Sequence, residues 1–340
     1  MAILLNEMKV GMSDKIAQAV VDTFIRKSEI LELLPFDNCV SPGTGSTLTY
    51  GYVQKKLPST TAFRKINSEY NTSEATVEKK AVDLKVFGGA FQIDRVIKQA
   101  EGMYDNMALQ LEEKIASAVG TFHNALINGD VAVNADGFDG LDKFLVGTKN
   151  EMNTETVIDL STMAVLKTNA DVFYEALLKL INRTGAQALL VNEGMKTKIQ
   201  TVARILGYKT ESEEAFGRTI TSIGEGKVRL IDLKNVYTPS STEESQRPTA
   251  TVIENPVISG NISRTVGGNA TTGLTDIYAV RFSVQDGFHG VTLSGNSGIN
   301  QYLPDFNQPG AVKKGEVEMV AACALKNTNA AGVLRNIKII

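Results

Sequence analysis

The run from Gly102 to Asn128 sets the scale of anything this sequence can build. Apolar residues fall at Tyr104, Met107, Leu111, Ile115, Val119, Phe122 and Leu126, three and four apart, which draws one stripe along a 3.6-residue helix. Glu101, Asp105, Glu112 and Glu113 weight negative charge toward the start, where the helix dipole favours it. No proline interrupts the run, and Asn128-Gly129 is expected to stop it in the left-handed conformation that ends many helices. At 1.5 Å per residue such a helix spans roughly 40 Å. A compact domain of ordinary size needs less, so the helix reads as a beam to which other parts attach.

Upstream of the beam, from Cys39 to Gln92, the period changes to two. Leu48, Tyr50 and Tyr52 alternate with Thr47, Thr49 and Gly51, and Val82, Leu84 and Val86 alternate with Asp83 and Lys85, as in half-buried strands. Between them lie about 25 residues, a length rare for a structureless loop inside a compact domain. They carry Lys55, Lys56, Arg64, Lys65, Glu69, Glu74 and Glu78 and almost no large apolar group besides Leu57, Phe63 and Ile66. Such a segment cannot bury itself. The expectation is a two-stranded ribbon with an extended tip; because an isolated ribbon is marginal in water, something else must hold it. A disordered surface loop is the plainer alternative.

Residues 13 to 34 read as an amphipathic helix: Ser13 caps it, Ile16, Ala19, Val20, Thr23 and Phe24 form one face, and Ile30, Leu31, Leu33 and Leu34 precede Pro35. It serves either as an arm docking on a neighbour or as a helix packed on its own domain. Residues 155 to 262 alternate helix and strand. Asp171 to Arg183, closing near Gly185, and Glu193 to Leu206 are the helices; Ala188 to Val191, Val228 to Ile231 and Thr251 to Ile253 are strands, with Thr238 to Pro248 an exposed loop. Strands return at Asp276 to Ser283, Val291 to Leu293 and Glu316 to Leu325.

Catalytic and cofactor templates fail one by one. Gly224-Glu225-Gly226-Lys227 lacks the first glycine and the final Ser or Thr of a phosphate loop and reads as a hairpin turn. Gly295-Asn296-Ser297-Gly298 lacks the spacing of a nucleophile elbow. His123, a packed or rim residue in the beam, and His289, in a glycine-flanked turn, have no partner of fixed spacing. Asp130, Asp136, Asp139 and Asp142 miss the calcium-loop pattern and read as turn formers. No catalytic, cofactor-binding or metal-binding residue is expected. Cys39 and Cys323 are too far apart in sequence to be a framework, which points to a reducing compartment. Nothing in the sequence has the length of a membrane span or the pattern of a secretory signal. With 340 residues, 43% hydrophobic, and a net charge of -3 without a basic run, the chain has room for about two domains and lacks the footprint of a dedicated nucleic-acid binder. A container whose wall does not cling to DNA remains compatible with that charge.

The order of parts carries a resemblance. Phe24-Ile25-Arg26-Lys27-Ser28-Glu29-Ile30-Leu31-Glu32-Leu33-Leu34-Pro35-Phe36, then Ala62-Phe63-Arg64, Asn128-Gly129-Asp130, Phe138-Asp139-Gly140-Leu141, and Asp276-Ile277-Tyr278-Ala279-Val280-Arg281-Phe282 with Gly290-Val291 look like the major capsid proteins of tailed bacteriophages. That resemblance covers nearly the whole chain and implies an α+β fold of the Hong Kong 97 type. It implies an N-terminal arm at residues 1–38, an extended E-loop at 39–92 and a first part of the P-domain with the spine helix at 93–154. An A-domain at 155–275 and a return to P-domain strands at 276–340 complete it. By the same resemblance the chain is a non-enzymatic subunit of hexamers and pentamers in an icosahedral head. The head would be assembled in host cytoplasm and enclose double-stranded DNA without sequence-specific binding, with no cofactor and no membrane. Relatives often carry an N-terminal scaffolding domain of about a hundred residues; this chain has no room for one, so a separate scaffolding protein is expected, with a portal. Candidate inter-subunit contacts are Phe24, Leu31, Leu34, Lys55, Lys56, Phe63, Arg64, Lys65 and Glu69. An encapsulin-type nanocompartment shell enclosing cargo enzymes is the alternative within the same fold.

Overall fold

The computed structural model describes residues 28–41, 47–96, 106–208, 210–215, 218–223, 228–240, 251–294 and 299–340. Ser28 opens a short helix, α1 (Glu29–Leu33), by accepting a hydrogen bond from Leu31 N at 3.2 Å. Next come β1 (Phe36–Val40), the antiparallel pair β2 (Thr49–Leu57) and β3 (Thr76–Asp83), and β4 (Lys85–Asp94). The beam is α2 (Asn106–Asn128). The earlier parts of the two expected helices, 13–27 and 102–105, lie outside the described residues, as do the two glycine-rich turns at 224–227 and 295–298.

Gly129 ends α2 for a reason other than the one its sequence suggests. It does not take a left-handed φ; a Cβ there would come within 2.2 Å of Phe138 O and 2.4 Å of Ala125 O. The chain turns so tightly against the 138–140 backbone, with Gly140 N donating to Gly129 O at 2.8 Å, that only glycine fits. Gly129→Ala is therefore expected to cost about 2 kcal/mol or more through overpacking against two backbone carbonyls. A thermal transition unmoved by this change would contradict that account.

After α2 the chain forms α3 (Leu141–Leu145), β5 (Glu151–Met152), β6 (Ile158–Asp159), α4 (Met163–Thr184), β7 (Ala188–Val191) and α5 (Glu193–Ile205). Thr162 and Asn192 cap α4 and α5, and Gly185, at φ 60°, closes α4; the sequence placed that stop correctly but started the helix too late. Then follow β8 (Thr210–Ala215), β9 (Arg218–Ile223), β10 (Val228–Asp232), β11 (Asn235–Pro239), β12 (Val252–Pro256), β13 (Ile262–Val266), β14 (Asn269–Val280), β15 (Phe288–Leu293), β16 (Asn300–Tyr302), β17 (Val312–Leu325) and β18 (Ala331–Lys338). Thr238 and Pro239, read as loop, belong to β11, which pairs with β12. The rest of that span beyond Ser240, 241–248, is outside the described residues.

Two larger sheets organise the molecule. One runs β1, β15, β17, β16, with β4 antiparallel to β17 along Lys85–Asp94. The other runs β5, β18, β14, β7, β10, β9, β8, with β13 beside β14 and β6 beside β18. The second sheet stands between two cores. Tyr278 and Val280 of β14 and Leu190 of β7 join the core under α2, whereas Ile277, Ala279, Leu189 and Val191 join the core under α4 and α5. Alternation along β14 thus separates two buried faces instead of one buried and one wet face, because helices cover both sides of the sheet.

Candidate assembly interface

The β2–β3 ribbon leaves the body at a built root. Tyr50 and Tyr52 point into the core, and Tyr50 Oη donates to Asp37 Oδ2 of β1 at 2.9 Å. Lys326 Nζ lies 5.6 Å from the Tyr50 ring, a cation–π contact. Thr49 Oγ1 donates to Asp83 Oδ1 across the pair at 2.7 Å, and Gln54 Nε2 reaches Leu325 O at 3.4 Å. A cleft of about 540 Å³ opens beside this root, lined among others by Tyr52, Gln54, Lys80, Phe138, Lys143 and Phe144.

Beyond Tyr52 the ribbon faces solvent. Lys55, Lys56, Lys65 and Glu69 are exposed, and so are the apolar Val53, Leu57, Phe63, Ile66, Tyr70 and Val77, with Ile66 at 90% exposure. Residues 58–75 form no strand, yet they hold a local shape. Arg64 Nη1 donates to Lys65 O and Ser68 O, its guanidinium lies 5.2 Å from the Tyr70 ring, and Thr60 N donates to Ser73 Oγ at 3.0 Å. Isolated exposed apolar side chains are ordinary, but here six share one projection, and apolar surface of this kind is found where proteins meet.

The remaining contact candidates separate. Leu31 and Leu34 lie buried in the subunit's own core. Phe24 lies outside the described residues.

Among the described residues no cluster of His, Cys, Asp and Glu has the makings of a metal site, and no helix is long and apolar enough to cross a membrane. His123 is buried, with Nδ1 3.2 Å from Leu233 O and Nε2 2.6 Å from Ser28 Oγ; burial pushes its pKa down to about 4. His289 is not in a turn. It sits fully buried in β15 with Nε2 3.4 Å from Tyr50 Oη, and burial followed by the nearby Lys326 charge lowers its pKa.

Asp142 also departs from its reading as a turn former. It accepts from Arg335 Nη1 at 2.5 Å and from Tyr278 Oη at 2.8 Å. Arg335 further donates to Asp276 at 2.9 Å and to Glu151 at 3.0 Å, and Arg264 grips Asp276 with two contacts of 2.6 Å. This network ties α3, β5, β13, β14 and β18 together. Nothing in the sequence signalled it, since its members are separated by up to 193 positions. Asp130 and Asp139 do serve their turn, accepting from Ala132 N and Val131 N.

No family model matches the sequence, and no curated protein does. Solved structures match across most of the chain. The holo-SrpI encapsulin complex of Synechococcus elongatus superposes with a TM-score of 0.53 at 14% identity, over 91% of this chain and 87% of that one. The Mycobacterium phage Bobi structure gives 0.53 at 10% identity, over 92% and 90%. The virus-like particle from Pyrococcus furiosus gives 0.50 at 10% identity, over 94% and 98%. The fold is the Hong Kong 97-type capsid fold. At these identities the likeness is one of fold, shared with shells of more than one kind.

Proposed function

We propose that this chain is the major capsid protein of a tailed bacteriophage, a structural subunit and not an enzyme. It would assemble into hexamers and pentamers that close an icosahedral head around double-stranded DNA. The observation that carries this reading is the β2–β3 ribbon: anchored firmly at Tyr50 and Tyr52, it projects Phe63, Ile66 and Tyr70, which none of the described residues covers. In a closed shell a neighbour covers them, and repeating one modest contact around a ring multiplies its effect. The ribbon corresponds to the E-loop, α2 to the spine helix, and the α4–α5 layer to the A-domain. Lys55, Lys56, Phe63, Arg64, Lys65 and Glu69 are the contact residues proposed for it. A separate scaffolding protein and a portal would assist assembly in host cytoplasm. Electron microscopy tests the reading: closed shells are expected when the protein is produced with its scaffolding protein, and shells packed with DNA in infected cells. Shells filled with a cargo enzyme would indicate the encapsulin alternative, and a monomer at every concentration would sink both.

A further inference from the structure

Two cavities share Glu29, Asp232, Lys234, Asn235 and Tyr237 and so form one groove. The first, about 550 Å³, lies between Ser28, the flank of α2 from Glu113 to His123 and the connection from β10 to β11. The second, about 760 Å³, continues to the start of α5 and to Ile339 and Ile340. Apolar groups line both: Val119 and Leu233 in the first, Pro256 and Ile339 in the second. Tyr237, common to the two, is a large ring left 58% exposed. The described chain begins at the edge of this groove, with Ser28. We propose that the groove seats the chain's own residues 14–27, which fasten across it to the subunit they belong to.

Position favours that occupant. Ser28 is extended, at φ -134° and ψ 122°, and caps α1, so the chain bends there and does not run into α1 as one continuous helix. Phe24 stands four residues earlier and can reach no farther than about 14 Å from Ser28, which holds it near the first cavity. As a helix, residues 14–27 would span about 21 Å, enough to pass from the first cavity toward the second.

The chemistry of the two surfaces matches. Ile16, Ala19, Val20, Thr23 and Phe24 share one face at helical spacing, an apolar stripe for a groove walled by Val119, Leu233 and Tyr237. Charges follow in complementary order. Arg26 and Lys27 adjoin Ser28, where the first cavity carries Glu29, Glu113 and Asp232 against Lys234. Asp22 and Asp14 lie farther back, and the second cavity adds Lys196 and Lys198 against Glu193 at the N-terminal end of α5. Tethering then decides between this segment and the same segment of a second copy. Linkage gives a local concentration on the order of millimolar, so in dilute solution the chain's own residues fill the groove ahead of a neighbour's. Phe24 thereby serves its own subunit instead of an inter-subunit contact. The seat is a property of the single subunit and stands or falls apart from shell assembly.

Zero-length carbodiimide cross-linking of the full-length, unassembled protein tests it, read by mass spectrometry on an equal mixture of chains in natural and heavy nitrogen. Lys27 lies too near Ser28 to discriminate, so the diagnostic products join Asp22 or Asp14 to Lys196 or Lys234. Such links are expected within one chain, carrying a single isotope throughout. Links that join light to heavy chains as often as random mixing allows would give the groove to a second copy. No link from either aspartate to either lysine would leave the groove to another occupant or to none. Each of those two results overturns the proposal. Phe24→Asp places a charge on the apolar stripe and should lower the yield of the within-chain links by about tenfold or more. An undiminished yield overturns the seat as drawn, and the natural protein decides the question alone should the variant fail to fold.

Discussion

Arg335→Ala is expected to destabilise the subunit by about 3–5 kcal/mol, the range found when one member of a buried ion cluster is removed. The cluster holds three carboxylates, Asp142, Glu151 and Asp276, against two guanidinium groups, Arg264 and Arg335. Taking Arg335 away leaves three negative groups facing one cation, with Asp276 almost wholly shut off from water. Arg335→Lys should recover only part of the loss, because an ammonium group cannot present the planar fork that serves Asp142, Asp276 and Glu151 together. A total stability of about 5–15 kcal/mol makes the alanine variant marginal. Urea unfolding of the three proteins measures the effect, and a loss below about 1 kcal/mol for alanine would show that the cluster is not a structural clamp.

Replacing Leu57 to Lys79 by a short Gly-Ser turn is expected to abolish closed particles while leaving a cooperative thermal transition in the subunit. The segment is exposed throughout, so its removal forfeits little of the roughly 25 cal/mol per Å² that burial supplies. Pairing of Thr49–Tyr52 with Lys80–Asp83 survives the change, as do the Tyr50–Asp37 bond and the contacts of Tyr52 with the core. What disappears is the projecting patch of Phe63, Ile66 and Tyr70 and the charged groups around it. Particle counts by microscopy and melting of the soluble subunit give two separate readings. An insoluble or non-cooperative product would mean that the tip belongs to the subunit's own core, and intact shells would remove the ribbon from assembly altogether.

Local periodicity made several parts legible from residues alone. The stripe from Met107 to Leu126 is a helix because its spacing admits no other regular structure, and Ile115, Val119, Phe122 and Leu126 are buried as that stripe requires. Ribbon strands at Tyr50–Tyr52 and Val82 were readable for the same reason, and the polarity of the span between them foretold that it would project.

Other features depend on which distant segments meet, and no local pattern carries that. Leu31 and Leu34 read equally well as an arm for a neighbour or as core, and the fold decided for core by placing the sheet of β1, β15 and β17 beside them. Gly129 looked like a helix cap by conformation and proved to be a contact glycine, since the constraint comes from Phe138 O across a turn. Asp142 looked like turn chemistry until β18 brought Arg335 to it. His289 owes its burial to the ribbon strand beneath which it lies. Period and composition act over a few residues and so are written in the sequence, whereas burial, ion pairing and pKa depend on neighbours that only the closed fold supplies.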